Sequence, residues 1–297
     1  MFRLEHRDAR RGALLALAST IAALVAGVEL TIEEGRSAPS RCSVAACAPC
    51  EAKPSGSRLR LPGRPPRRVV AVPILMYHRV NVTSPTTPAI SRALTVHPAD
   101  FARQMRWLKR RGFQTITQRQ LFAALMHGRP LGRRPIMITF DDGYRDAYYK
   151  AAPVLSKLGM RATAYVITNR IVNGDRTFLS WGLLRRLERR GIEIGSHTVS
   201  HRDLTQLSDR AVFQELLRSR RALERGLCHP VQWLAYPFGS YDGRIEQLAR
   251  RAGYLLAVTT ESGAFQPAGQ PLALRRLRVL DSTGVHGLAE LLGASGS

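Results

Sequence analysis

Ile136-Met137-Ile138-Thr139-Phe140-Asp141-Asp142-Gly143 is the stretch on which the fold turns. Five residues of mostly apolar, β-prone character read as a strand, and two carboxylates followed by glycine emerge where it ends. An Asp-Asp-Gly tripeptide is by itself an ordinary turn. Its interest lies in what the rest of the chain places in equivalent positions.

Working outward, short apolar runs recur at 69–77, 135–140, 161–167, 192–196, 231–236, 255–259 and 277–280. Amphipathic, helix-period segments lie between them at 100–111, 147–158, 181–190, 209–227 and 244–252. Strands alternating with helices over most of the chain predict an α/β fold with a parallel sheet, open or closed into a barrel. In either form functional groups gather where strands end.

After Ile192-Glu193-Ile194-Gly195-Ser196 come His197 and His201, three residues apart. On a helical turn an i, i+4 pair shares one face, and two imidazoles there can grip Zn²⁺ or a similar cation while leaving room for water. Of the two acids, one can bind the metal while the other takes a proton from water. Met76-Tyr77-His78 ends the first strand, and Leu234-Ala235-Tyr236-Pro237-Phe238-Gly239 follows the fifth. Alone, the first reads as a stray core histidine and the second as a Pro/Gly turn; their placement after four separate strands makes them a candidate site.

Together these residues resemble the polysaccharide deacetylase family, the carbohydrate esterases (family 4) that share the NodB homology domain. Thr139-Phe140-Asp141-Asp142-Gly143-Tyr144 is similar to its first motif and His197-Thr198-Val199-Ser200-His201 to its second. Pro73 through His78, the 101–113 segment and Tyr236-Pro237-Phe238-Gly239 look most like the branch acting on poly-N-acetylglucosamine exopolysaccharide. The resemblance implies a distorted (β/α) barrel of about seven parallel strands over 69–297. It further implies Asp141 as general base, and Asp142, His197 and His201 as ligands of a divalent cation, zinc first, with cobalt, nickel or iron as alternatives. His78 becomes the general acid, Tyr236, Pro237 and Phe238 line the substrate, and Trp181 is either a pocket wall or a packing residue. The implied reaction removes N-acetyl groups from N-acetylglucosamine in an envelope or extracellular polysaccharide.

Two departures matter. Many members carry an Arg where this chain has Ala235, and Arg276 or Arg278 is the candidate replacement. Many also use a late Leu-x-His, for which His286 is no match. These departures motivate an alternative, a non-catalytic, surface-tethered glycan-binding protein; hydrolysis of another N-acyl or formyl group is the enzymatic variant.

Arg3, Arg7, Arg10 and Arg11 precede an apolar run at 12–28, the pattern of a signal peptide or signal-anchor within residues 1–30. It predicts export to the periplasm, envelope or medium, with an inner-membrane anchor if the segment is retained. Residues 31–68 read as a Pro/Ser/Arg-rich linker. Cys42, Cys47, Cys50 and Cys228 suit disulfides in an oxidising compartment, with the pairing open. A net charge of +23 fits an anionic membrane or glycan. Nucleic acid is not the expected partner, since the cations are scattered and no recognition motif is present.

Overall fold

Side chains alternate across each strand, so a strand with both faces buried must find apolar partners on two sides. The computed structural model, which describes residues 59–63 and 66–293, answers with a ring. Strands β1 (Ile74–Tyr77), β2 (Pro135–Phe140), β3 (Ala162–Val166), β4 (Ile192–Ser196), β5 (Trp233–Ala235), β6 (Leu256–Ser262) and β7 (Leu274–Arg278) pair in parallel. Their order is β1-β7-β6-β5-β4-β3-β2, and β2 returns to β1, which closes a seven-stranded barrel. Distortion comes from the β6–β7 pairing, whose register shifts between Val258 and Ser262, a bulge beside Arg276.

Ile136, Ile138 and Phe140 of β2, with Ile192 and Ile194 of β4, face the surrounding helices. Met137, Tyr165, Trp233, Val258 and Leu274 fill the barrel interior. Gly195 belongs to this inward set because a Cβ there would meet the Tyr165 ring at 2.5 Å. The helix Asp209–Leu227 packs outside, its Ser219 hydroxyl 2.8 Å from that of Ser196.

Several elements differ from expectation. The 69–77 run is two strands, because Pro73 has no N–H to continue a ladder. Val69–Ala71 pairs antiparallel with Phe265–Pro267, and only Ile74–Tyr77 joins the barrel. The last strand lies at Leu274–Arg278 rather than 277–280, since it carries an arginine inward where an apolar run was sought. The 147–158 helix opens with a wide π turn, Ala147–Ala151, before Ala152–Lys157; Pro153 can give no hydrogen bond to the preceding turn. The helix Gln118–His127 was unanticipated, although Thr117 and Gln120 form a capping box and Gly128 ends it left-handed.

Ahead of Val69, Leu59 packs on the interior cluster, and its backbone exchanges hydrogen bonds with the Gln232 side chain at 3.1 and 3.0 Å. The run at 12–28, most of 31–68, and Cys42, Cys47 and Cys50 lie outside the described residues. Cys228 is disulfide-bonded. No helix among the described residues is long and apolar enough to cross a membrane.

Candidate active site

Strand phase separates the two carboxylates. Asp141 continues the inward alternation of Met137 and Thr139, so its side chain enters the top of the barrel interior. There the Arg276 guanidinium, whose side chain is 0% exposed, meets it through two parallel bonds, Nη1 to Oδ1 at 2.8 Å and Nη2 to Oδ2 at 2.7 Å. Arg276 Nε donates to the Thr259 carbonyl at 2.7 Å, and Nη1 also reaches Thr139 Oγ1 at 3.2 Å. Burial alone would raise the Asp141 carboxyl, but the charge and hydrogen bonds of Arg276 outweigh it and hold the group well below the usual carboxylate range. Asp141 is therefore ionised and fixed in orientation. Arg276 thus makes the contact with Asp141 that Ala235 cannot, whereas Arg278 is exposed.

Asp142 would point outward by alternation. A left-handed backbone (φ 70°), continued by Gly143 (φ 81°), turns it back over the barrel mouth. Gly143 admits no side chain, since a Cβ would lie 2.9 Å from Val166 Cγ1. His197 resumes the inward phase of Glu193 and Gly195. Its Nδ1–H donates to the Ala235 carbonyl at 2.7 Å, which leaves the Nε2 lone pair facing Asp142. Nε2 of His197 and of His201 lie 3.5 and 3.6 Å from Asp142 Oδ1, and the three groups offer ligand atoms within 4.8 Å of one another. Zinc at about 2.0–2.1 Å from tetrahedral ligands would separate them by about 3.3–3.4 Å. The residues thus fit a divalent cation with little movement.

The charges suit that fit. Burial raises the Asp142 carboxyl, but hydrogen bonding and charge from His197 prevail and keep it ionised. Burial and the neighbouring His197 lower His201 to about 4, so its ring is neutral and free to ligate at neutral pH. For His197, burial lowers the pKa but is outweighed by Asp142 and Asp141, which raise it.

The two histidines do not share a helix face, as their spacing had suggested. They are joined by a loop in which Thr198 (φ 64°) and His201 (φ 60°) are left-handed, a costly state for a β-branched residue. Glu215, on the helix Asp209–Leu227, holds this loop. One carboxylate oxygen accepts from the Val199 and Ser200 N–H groups at 3.0 and 2.9 Å, and the other from the Ser200 hydroxyl at 2.8 Å. Sequence reading missed Glu215 because it sits within a routine amphipathic helix; its one signal was an acid among the half-buried positions.

His78 stands at the end of β1 beside these groups, its Nδ1 buried without a hydrogen-bond partner among the described residues. Burial is the chief influence on its imidazole and holds it below the ordinary value despite Asp141 and Asp142. Phe238, 61% exposed and left-handed (φ 59°), sets its ring 4.7 Å from that of His201 and forms the rim; Pro237 beneath it is buried. Tyr236, an expected substrate contact, is buried away from the rim, and Trp181, which could be read as pocket wall or packing, takes the packing place. Tyr236 is 0% exposed and stacks on Tyr241 under the outer helices, so its side chain is packing. Trp181 lies against Gly226, where a Cβ would meet its ring at 2.3 Å, and packs on the outer core. His286 is on the surface beside Glu290.

Known proteins carry the same architecture. The family model for polysaccharide deacetylase matches residues 128–257. The YxkH protein of Bacillus subtilis (strain 168), assigned by name to the polysaccharide deacetylases, is 33% identical over 218 residues, 73% of this chain and 74% of its own. A poly-beta-1,6-N-acetyl-D-glucosamine N-deacetylase of Staphylococcus aureus (strain MRSA252) is 23% identical over 65% of this chain and 70% of its own. Among solved structures, the Streptococcus pyogenes deacetylase PplD, in complex with acetate, superposes with a TM-score of 0.71 at 31% identity, covering 76% of this chain and 99% of that one. With a seven-stranded barrel, an Asp-His-His cluster at its mouth and a 33% identical relative spanning most of both chains, this chain belongs to the polysaccharide deacetylase family and is a deacetylase hydrolase.

Proposed function

We propose that the protein is a metal-dependent N-deacetylase acting on N-acetylglucosamine residues of an envelope or extracellular polysaccharide, exported by its N-terminal segment. The observation that carries this reading is the pairing of a cation-sized ligand set, Asp142, His197 and His201, with a second carboxylate, Asp141, that Arg276 keeps out of the ligand set. A divalent cation held there, zinc first and cobalt, nickel or iron as alternatives, supplies Lewis-acid polarisation of the amide carbonyl and acidifies a water.

The side chains divide the remaining work. Asp141 is ionised and aimed, and it accepts the proton of the attacking water. Arg276 lowers the basicity of that carboxylate while fixing its direction, so the water must itself be acidified for the transfer to run. As the C–N bond of the N-acetyl group breaks, the glucosamine nitrogen needs a proton. His78 delivers it, receiving in turn the proton that Asp141 took from the water, so that both side chains return to their starting states. The exposed ring of Phe238 meets the sugar at the rim.

The test is acetate release from a β-1,6-linked N-acetylglucosamine oligomer by the full chain, supplied in turn with zinc, cobalt, nickel and iron. Release with at least one metal, abolished by chelation and restored by that metal, is expected. A chain that takes up metal yet releases no acetate under any condition refutes the reading.

A further inference from the structure

The segments that deliver His78 and Asp142 continue, without interruption, into the wall of a second cleft. Arg79 follows His78, and Arg145 lies three residues past Asp142, within about 11 Å along the chain. The cleft, about 580 Å³, is bounded by Arg79, Arg145, Asp146, Lys150, Arg176 and Thr177, with Asn81 and Tyr149 beside them. It is formed by the loops that follow β1, β2 and β3, on the same carboxyl-end face as the active site.

Its wall carries four cations and one acid. Asp146, the one acid in the wall, is buried, and its Oδ2 accepts from Arg79 Nε at 2.9 Å. Burial is the leading influence on that carboxyl and pushes it upward, against Arg79. Beyond that pair three cations remain, Arg145, Lys150 and Arg176. Arg145 is held in place, donating from Nη1 to the Arg176 carbonyl at 2.8 Å and from Nη2 to the Tyr149 hydroxyl at 3.3 Å. Lys150 and Arg176 are exposed, and among the described residues neither side chain has a carboxylate within ion-pairing distance. The π turn Ala147–Ala151 presents Lys150 and Tyr149, and irregular helical turns of this kind often accompany function.

A stacked strip joins the cleft to the metal site. The Tyr144 and Phe178 rings lie 4.7 Å apart at 22°, with Arg79 4.5 Å over Tyr144 and Arg170 5.1 Å over Phe178. Tyr144 is two residues from Asp142, whose charge it senses. A polymer lying across the site from His78 toward Tyr144 brings its next sugar residues to Arg79, Lys150 and Arg176.

We infer that this cleft is a subsite for an oxyanion, a carboxylate or phosphate substituent, carried by a sugar near the N-acetyl group under attack. The inference rests on the N-deacetylase reading and narrows its substrate to an anionic glycan. Guanidinium and ammonium groups at the rim of a wet cleft select charge and raise encounter rates more than they add raw affinity.

The test compares three N-acetylglucosamine-containing oligomers of equal length: a neutral one, one alternating with lactyl-carboxylate sugars, and one bearing glycerol phosphate. The expected result is a KM about five- to tenfold lower for at least one anionic oligomer, with the preference eroded by salt. In the Lys150→Gln/Arg176→Gln chain the preference disappears, while kcat and KM on the neutral oligomer stay within about twofold. Whichever anionic oligomer gains more identifies the source of the oxyanion. Equal KM values for all three, or a preference that survives the double substitution, overturns the subsite. Fluorescence anisotropy of labelled oligomers on Asp141→Asn protein separates this from the catalytic reading. Charge-selective binding lost on adding Lys150→Gln and Arg176→Gln supports the subsite even if no acetate is ever released, and charge-indifferent binding refutes it.

Discussion

The two ends of the barrel meet the same backbone problem in opposite ways. At the amino end, five turns leading out of helices pass through the left-handed region at Gly112, Gly128, Gly159, Gly191 and Gly253, where glycine loses nothing to Cβ clash. Three of them close alike, with Phe113, Met160 and Tyr254 donating to the carbonyls of Leu108, Leu155 and Ala249 at 3.0, 2.9 and 3.1 Å, and those side chains are buried. At the carboxyl end the left-handed positions fall on Asp142, Thr198, His201 and Phe238. None of these is glycine, so each accepts about 1–3 kcal/mol of strain. Neighbouring interactions hold them there, above all the Glu215 carboxylate and the Arg276–Asp141 pair. Most turns at the amino end are relaxed by glycine, with Arg134 and Cys228 the left-handed exceptions there; those that carry the candidate site are held by tertiary contacts.

Removing the charge that the strained end was built to aim should have the largest effect. Asp141→Asn is expected to lower acetate release by about 10²–10⁴-fold with metal uptake retained, read by enzymatic acetate assay and by calorimetric metal titration of the same sample. Loss of metal uptake instead would make Asp141 a ligand rather than a base.

Breaking the buried pair from its other side should be felt through the whole fold. Arg276→Gln leaves Asp141 charged and unmatched, and urea unfolding at neutral pH should show about 3–5 kcal/mol less stability. The pH dependence carries a defined sign. Because the native Asp141 pKa is depressed, its contribution is complete above the unfolded value of about 4 and is lost as pH falls below that toward the native value. The acid-side slope of stability below about pH 4 should therefore be shallower in Arg276→Gln. An unchanged slope would show that Arg276 does not set it.

A milder break targets the loop alone. Glu215→Gln keeps the shape but weakens the carboxylate's grip on Val199 and Ser200. It should weaken metal affinity by about 10–100-fold, the range for residues that orient ligands, measured by competition with a chelator, while far-UV circular dichroism stays native. Native affinity would mean that the strained loop needs no clamp.

The smallest effect belongs to the relaxed end. Gly159→Ala meets no atom within 4 Å but sits at φ 64°. Thermal unfolding should register about 1 kcal/mol of destabilisation, with kcat and metal affinity unchanged. A comparable loss of activity would show that the two ends are not independent.

How much of this was legible differs by residue. The strand Pro135–Phe140 and its closing Asp-Asp-Gly could be read because their signals, alternation and a turn glycine, lie between chain neighbours. The order of Asp141, Asp142, His197 and His201 along the chain, and hence the chemistry, was fixed by composition at strand ends. The backbone path between the histidines was not: a four-residue spacing suits a helical turn as well as a loop, and Glu215 decides between them from outside the loop. Tyr236 looked like a substrate contact and Trp181 could be read either way, because aromatic side chains do the same service in cores, and only the position of the outer helices assigns them to packing. Arg276 shows the limit most plainly. Its pairing with Asp141 joins residues 135 positions apart and depends on the closure of the barrel and on one bulge, so no local pattern could encode it. The sequence by itself determined which groups are present and at which strand ends they stand; the closed ring alone determined which of them touch, because contact between distant residues is a property of the packed chain.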